Sequence, residues 1–330
     1  MFKNIKLINK IRKLKNIHIE IEKEYIEYVK KYIFEKEFEY KNVNLTEKEY
    51  VQKNFFSILM LLILDFNKIE YLKSQGLIIH AIRNIITSTD NIIDSENKGN
   101  LDIVKLENPV LKNIMSLIIA NEIMDRELSK ISKPENINNI KSKLLKSIYE
   151  IAKGEEIRKI KDNKIMEYDE VINKIHTKIG GELLVLSMIV PSELYQNKKL
   201  SNFKKALFEI GLSLQLLDDI IDIKEDYLAN TQNAFYSYLI ENSISNSEIM
   251  NFIQNKKNTK NIKNLYEKII EKSINQGLLG FREFEKNGLE IGYKEGMTLM
   301  KFMFKNRGME EEWKIFEKNN KKSGEKNEKV

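Results

Sequence analysis

The stretch GLSLQLLDDIIDIKED, residues 211–226, decides the fold class predicted for this chain. Asp218, Asp222 and Asp226 follow one another at intervals of four residues, so a helix would align them on one face. Such like charges destabilise an exposed helix by roughly 0.2–0.5 kcal/mol per pair. Leucine and isoleucine fill most of the other positions, which predicts a helix in the interior of a bundle. Interior carboxylates need compensating partners.

A second acidic helix is predicted over HAIRNIITSTDNIID, residues 80–94. Asp90 and Asp94 lie one turn apart and share a stripe with His80 and Arg83, while isoleucines supply apolar surface elsewhere. The chain therefore carries two helices on which carboxylates point in one direction.

The chemistry of these side chains favours magnesium. Mg²⁺ takes hard oxygen ligands and suits a cluster of carboxylates. The chain has no cysteine and only three histidines, which disfavours a zinc or thiolate site. A carboxylate-bridged di-iron site would need Glu-x-x-His pairs, and none ends at His18, His80 or His176.

The composition predicts a globular, all-α protein with one domain. Hydrophobic residues make up 42% of the 330 residues and charged residues 32%, and only three prolines occur. No set of alternating strands and no glycine-rich phosphate loop is evident. Helices are predicted near residues 18–37, 46–70, 73–95, 101–131, 136–153, 167–190, 201–228, 233–241, 246–254, 259–287 and 289–305.

The two ends of the chain differ from the rest. Residues 1–17 form a predicted basic amphipathic leader helix, 18–313 the helical domain, and 314–330 a polar, disordered tail. The leader either docks on the body of the protein or makes peripheral contact with a membrane. Its basic residues account for the net charge of +6, so nucleic-acid binding is not predicted.

The predicted location of the protein is the cytoplasm. The absence of cysteine fits a reducing compartment, and no secretory signal is evident. The longest apolar run, residues 55–64, is about half as long as a membrane-spanning helix and predicts a buried core helix instead.

The two acidic motifs resemble those of the class I isoprenoid synthases. DNIID, residues 90–94, is similar to their first Asp-Asp-x-x-Asp motif with Asn91 in the second position, and the approach to it resembles that of squalene and phytoene synthases. Residues 215–226 resemble the second motif of trans-prenyl diphosphate synthases. The resemblance covers roughly residues 73–305 and includes KIHTKIGG, residues 174–181, similar to a mid-chain helix with a small-residue break.

This resemblance implies a single-domain helical bundle with a central active-site cavity, where two acidic rows hold a cluster of up to three Mg²⁺ ions and a prenyl diphosphate is ionised. The metal ligands that it implies are Asp90, Asp94, Asp218, Asp219, Asp222 and Asp226. The catalytic residues among them are Asp90, Asp94, Asp218 and Asp222. The substrate-binding residues are Arg83, Lys178, Gln215, Lys305 and Arg307. Helical synthases of this kind often pair, so a homodimer is a further expectation.

The subclass is indicated by what the chain lacks. It has no N-terminal Gly-Lys-Arg element and no arginine pair soon after Asp94. Chain-elongating prenyl synthases use those features to hold isopentenyl diphosphate. The sequence therefore favours a divergent squalene or phytoene synthase type, or a terpene cyclase, which forms carbon-carbon bonds and releases diphosphate. The alternatives are a head-to-tail polyprenyl diphosphate synthase and a non-catalytic helical partner subunit that kept the fold.

Overall fold

The computed structural model describes residues 5–32, 39–40, 45–93, 101–102, 106–160, 164–195, 198–255 and 260–327. The helices of the first half are α1 (Ile5–Tyr32), α2 (Glu47–Lys53), α3 (Phe55–Phe66), α4 (Leu72–Ile93), α5 (Pro109–Ile131), α6 (Pro134–Arg158), α7 (Tyr168–Val171), a π-helix (Ile172–Glu182), α8 (Leu183–Leu186) and α9 (Ile189–Tyr195). The second half contains α10 (Lys198–Ile221), α11 (Ile223–Leu228), α12 (Ala234–Glu241), α13 (Asn246–Asn255), α14 (Lys260–Lys286), α15 (Tyr293–Asn306) and α16 (Glu310–Asn327). The predicted all-α class is confirmed.

The start of α5 differs from the predicted boundary at residue 101. Proline disfavours helical backbone in the residue before it, and α5 begins at Pro109. The Asn108 side chain caps this end by accepting hydrogen bonds from the backbone N–H groups of Val110 and Leu111. Leu101–Asp102 instead forms a short antiparallel pair with Glu39–Tyr40.

The long apolar run forms a buried helix, as predicted. The helix predicted over residues 46–70 divides at Asn54 into α2 and α3. In α3 the residues from Ser57 to Leu64 are all buried, so this helix is covered on every side. Among the described residues, no helix is both long and apolar enough to cross a membrane.

The apolar stripe of the predicted leader is buried against the protein. Helix α1 continues without a break through residue 17, and its Leu7, Ile11 and Leu14 are at most 8% exposed. The helix packs against α3 and α4. Of the two interpretations of the leader, docking on the body therefore agrees with the structure.

The C-terminal stretch differs from the predicted disordered tail. Helix α16 extends from Glu310 to Asn327, and its Trp313 is fully buried. The Trp313 ring packs on Phe304 of α15 and on Phe316 one turn further along α16. These contacts anchor the start of α16, whereas the polar composition of the stretch suggested that nothing would hold it.

The chain divides into two compact units. We call Phe2–Leu144 together with Ser187–Leu200 the N-terminal unit, and Leu145–Leu186 together with Ser201–Val330, to which Met1 is also assigned, the C-terminal unit. Each unit contains one of the two acidic motifs. The predicted domain boundaries and the central cavity stay predictions.

Helix α10, which carries the second acidic motif, is fixed inside the C-terminal unit by paired hydroxyl contacts with α14. The Ser213 hydroxyl donates to the Ser273 carbonyl at 2.6 Å, and the Ser273 hydroxyl donates to the Ser213 carbonyl at 2.8 Å. Both side chains are fully buried, and the reciprocal bonds satisfy them.

Candidate active site

The three aspartates of the second motif stay in helical register although α10 ends among them. Asp222 lies between α10 and α11, with φ and ψ angles of −91° and 9°. The Asp222 N–H donates to the Asp218 carbonyl and the Asp226 N–H donates to the Asp222 carbonyl, both at 2.8 Å. The predicted alignment of the three residues along one stripe is therefore present.

Asp222 carries the carboxylate that lacks a compensating contact. It is half-buried, and within the described part of the chain its side chain has no hydrogen bond or ion pair. Burial raises the pKa of Asp222 to about 6, and the neighbouring charges of Asp218 and Glu225 add to this effect, which the charge of Arg158 only partly offsets. A bound cation would offset the cost of burying this charge and the repulsion from Asp218 and Glu225. The donor set therefore fits a divalent metal.

Asp218 faces a cation from another helix. Its Oδ1 lies 2.9 Å from Nε of Arg307, the residue that caps the C-terminus of α15. The side chains of Asp218 and Arg307 are 38% and 33% exposed. Burial raises the pKa of Asp218, and Arg307 acts in the opposite direction. This ion pair brings a predicted metal ligand and a predicted substrate-binding residue together.

Asp226 is more deeply enclosed than Asp218 and Asp222. It is 6% exposed, and its two oxygens accept hydrogen bonds from Nη2 of Arg158 at 2.9 Å and Nδ2 of Asn233 at 2.7 Å. Burial raises the pKa of Asp226 to about 6, although Arg158 and Asn233 favour the ionised form.

Asp219 points into the protein interior. It is 1% exposed, and its Oδ2 accepts a 2.5 Å hydrogen bond from the Ala234 N–H and lies 2.9 Å from Nε2 of His176. Gln215, a predicted substrate-binding residue, donates to Asp219 Oδ1 at 3.4 Å. Burial alone would raise the pKa of Asp219, but His176 and the Ala234 N–H outweigh it and lower the pKa. These contacts connect α10 to the π-helix and to the start of α12.

The helix predicted over residues 167–190 contains eleven residues of π-helix. This conformation is rare in proteins, and where it occurs it often lies at a functional site. Gly180 and Gly211 lie where the π-helix crosses α10. A Cβ atom built on Gly211 would be 2.2 Å from the Gly180 carbonyl oxygen. The π-helix therefore packs closely on α10 at these glycines, and this places His176 beside Asp219.

The other predicted cations of the C-terminal unit lie in surface ion pairs. Lys178 Nζ is 3.1 Å from Glu150, and Lys305 Nζ is 3.5 Å from Glu310. Neither contact involves an aspartate of the second motif.

The first motif is described only in part, because Asp94 lies outside the described residues. Asp90 is exposed near the C-terminal end of α4. The neighbouring Asn91 is buried and donates to Asn113 Oδ1 at 3.2 Å, so it holds α4 to α5. Arg83 donates through Nη1 to Asn54 Oδ1 at 3.1 Å and to the Ser57 hydroxyl at 3.4 Å.

Two contacts of the second motif were not predicted from the sequence. Arg158 binds Asp226 from a position 68 residues away, and no local pattern indicates such a pair. Asn233 precedes α12 and accepts from the Tyr236 N–H at 2.9 Å, and an asparagine before an apolar run is a recognisable cap signal. Its contacts with the second motif follow only from the tertiary structure.

The fold is that of the class I isoprenoid synthases, which confirms the resemblance at the level of the fold. No protein-family model and no curated protein sequence matches the chain. Solved structures do match it. A geranylgeranyl pyrophosphate synthetase from Pyrococcus horikoshii has a TM-score of 0.57 at 14% identity, covering 91% of this chain and 98% of its own. The geranylgeranyl pyrophosphate synthetase from the archaeon Geoglobus acetivorans has a TM-score of 0.53 at 19% identity, with coverages of 87% and 98%. A heptaprenyl diphosphate synthase from Staphylococcus aureus gives 0.55 at 14% identity, with 88% and 97% covered.

Proposed function

We propose that this protein is a magnesium-dependent prenyltransferase that ionises an allylic prenyl diphosphate. The observation that carries the proposal is the aligned pair Asp218 and Asp222, in which Asp222 is half-buried, repelled by its neighbours and without a partner in the described residues. A carboxylate in that situation is stabilised by a divalent cation. Bound Mg²⁺ would neutralise the diphosphate leaving group as its carbon-oxygen bond breaks.

We assign different roles to the aspartates. Asp218 and Asp222 are partly accessible and serve as metal ligands of the second motif, with Asp90 and Asp94 as those of the first. Asp219 is buried against His176 and the start of α12, which favours a positioning role. Asp226, held by Arg158 and Asn233, has the same role in this proposal.

Arg307 is the best supported of the proposed substrate-binding residues. Its guanidinium lies beside Asp218, where it offers further N–H donors to diphosphate oxygens. Gln215 orients Asp219 through its amide. For Arg83, Lys178 and Lys305, contact with substrate stays a prediction, because their contacts with Asn54, Glu150 and Glu310 involve no aspartate of the two motifs.

The head-to-tail reaction is a better proposal than the squalene or phytoene type that the sequence favoured. Solved structures that share this fold include synthases of geranylgeranyl and heptaprenyl diphosphates, and one, a polyprenyl synthase from Caulobacter crescentus, was crystallised with calcium and isoprenyl diphosphate. The missing Gly-Lys-Arg element and arginine pair then mean that other basic residues hold the second diphosphate. The homodimer and the cytoplasmic location stay predictions.

Product analysis tests the proposal. The purified full chain is incubated with Mg²⁺ and geranyl or farnesyl diphosphate, with and without labelled isopentenyl diphosphate. We expect longer prenyl diphosphates and released diphosphate only when isopentenyl diphosphate is present. A hydrocarbon product from farnesyl diphosphate alone would indicate the squalene type or a cyclase. No diphosphate release from any substrate would favour the non-catalytic partner subunit.

A further inference from the structure

A second cluster of metal-binding side chains lies in the N-terminal unit. His18 and Glu22 are one turn apart on α1, and His80 comes from α4, with one ligand atom from each residue within 4.8 Å of the others. His18 is 2% exposed and Glu22 8%. His80 is partly exposed, although its Nδ1 atom is buried. The two histidines are distant in sequence, so no local motif indicated this cluster.

The hydrogen bonds around His18 define its tautomer. The Tyr50 hydroxyl donates its only proton to Glu22 Oε2 at 2.5 Å. His18 Nδ1 lies 2.7 Å from the same hydroxyl oxygen and must therefore be the donor of that contact. The second nitrogen, Nε2, consequently carries a lone pair.

Two imidazole nitrogens of this cluster are buried without a hydrogen-bond partner. They are Nε2 of His18 and Nδ1 of His80. Buried polar atoms in folded proteins nearly always have a partner, so each of these two nitrogens is available to a ligand.

We propose that His18, Glu22 and His80 bind a divalent transition-metal ion, for which Zn²⁺ is the best match. Two imidazoles and one carboxylate are an established zinc donor set, and a water molecule would complete the four ligands. Mg²⁺ fits poorly because it prefers oxygen ligands. Tyr50 orients two of the ligands at once, as partners of metal-binding histidines commonly do.

The charge balance at the cluster agrees with this proposal. Burial, followed by the nearby Arg83, lowers the pKa of His18 to about 4, and burial, followed by the charges of His18 and Arg83, lowers the pKa of His80. Both imidazoles are therefore uncharged near neutral pH, which is the form that binds metal. Arg83 opposes a cation, whereas the Glu22 carboxylate attracts one. A bound ion would join α1 to α4, the helix that carries Asp90.

Zinc binding by the full chain tests the proposal. The protein is stripped with a chelator, placed in excess Mg²⁺ to occupy the aspartates of the second motif, and titrated with Zn²⁺ by calorimetry. We expect about one tightly bound Zn²⁺ per chain. His18→Gln and His80→Gln should each abolish this binding. Tyr50→Phe should weaken it about 10–100-fold, because His18 loses its orienting partner.

His176→Gln is the matched control, since it removes the third histidine of the chain, and it should keep the Zn²⁺. Co²⁺ in place of Zn²⁺ gives a second measurement on the wild-type protein, where we expect visible absorption that Zn²⁺ abolishes. Either of two results would overturn the proposal. The wild-type protein could bind neither Zn²⁺ nor Co²⁺, which would mean that a buried water alone fills the site. Alternatively, the His18→Gln and His80→Gln variants could bind Zn²⁺ as the wild-type protein does.

Discussion

Among single residues, Asp222 is the one whose substitution should lower activity without lowering stability. Asp222→Asn keeps the shape but removes the charge that Mg²⁺ needs, so we expect diphosphate release to fall roughly 100-fold or more. The free energy of unfolding should stay the same or rise by roughly 0.2–0.5 kcal/mol for each repulsive pair relieved. Steady-state diphosphate release and urea unfolding measure the two effects. Glu225→Gln makes the same charge change at an exposed neighbour and should leave the reaction intact; equal loss in both variants would contradict the assignment.

Asp219 should show the opposite behaviour to Asp222. Asp219→Ala leaves the Ala234 N–H and the His176 ring without their buried partner. We expect a loss of about 3–5 kcal/mol in the free energy of unfolding, measured by urea denaturation. Asp169→Ala, at an exposed aspartate of the same unit, should change it by no more than about 0.5 kcal/mol. A stable Asp219→Ala variant would show that the Asp219 contacts are not structural.

The sequence predicted the register of the acidic stripe but could not separate the roles of its members. Spacing by four residues aligns side chains on any helix, which is why Asp218 and Asp222 were identified. It gives no information on which carboxylate meets a partner from elsewhere in the chain. Arg158 and His176 are such partners, and their contacts depend on how separate helices pack.

At the scale of helices, Asn233 is expected to stabilise the protein by more than an ordinary helix cap does. Asn233→Ala removes the bond to the Tyr236 N–H and leaves Asp226 Oδ2 and the Asp219 carbonyl without their buried donor. We expect roughly 2–4 kcal/mol of destabilisation in urea unfolding. Asn108→Ala removes the exposed cap of α5 alone and should cost about 1 kcal/mol. Equal effects of the two substitutions would refute a link between the α12 cap and the second motif.

The crossing of the π-helix and α10 is expected to tolerate no side chain at Gly211. Alanine there gains about 1 kcal/mol of helix propensity but places its Cβ against the backbone of Gly180, which cannot rotate away. We expect a net loss of about 1–3 kcal/mol in thermal or urea unfolding. Gly277→Ala meets the flexible end of Met300 and the Ser213 hydroxyl, which are side-chain atoms and not backbone, and should lose less. The opposite order would show that this crossing is not tightly packed.

The existence of the helices followed from hydrophobic periodicity, whereas several boundaries did not. The apolar period of α10 and α14 is long and regular: α14 was predicted to within one residue at each end, whereas the helix predicted over residues 201–228 is divided at Asp222 into α10 and α11. The π-helix was predicted as ordinary helix because no local sequence signal marks the wider turn. Its close contact with α10 at Gly180 and Gly211 is a tertiary feature.

For the molecule as a whole, the order of two acidic motifs in an all-helical chain was enough to predict the fold. The matching solved structures named above are only 14–19% identical to the chain, so the similarity lies in the helix arrangement while most side chains differ. Each motif belongs to a different compact unit. The proposed reaction therefore requires aspartates from both units, because both motifs would have to act on the same diphosphate.

A double-mutant cycle with Asp90→Asn and Asp218→Asn tests this requirement. The affinity for inorganic diphosphate in the presence of Mg²⁺ is measured by calorimetry for the wild-type protein, both single variants and the double variant. Ions held jointly by both motifs are lost when either carboxylate is removed, so the second substitution should have less effect than the first, with a coupling energy of about 0.5–3 kcal/mol. Asp90→Asn combined with Asp169→Asn should instead be additive. Additive behaviour of Asp90 and Asp218 would mean that the two motifs bind ions independently, and the proposed prenyl diphosphate chemistry would then lack its metal cluster.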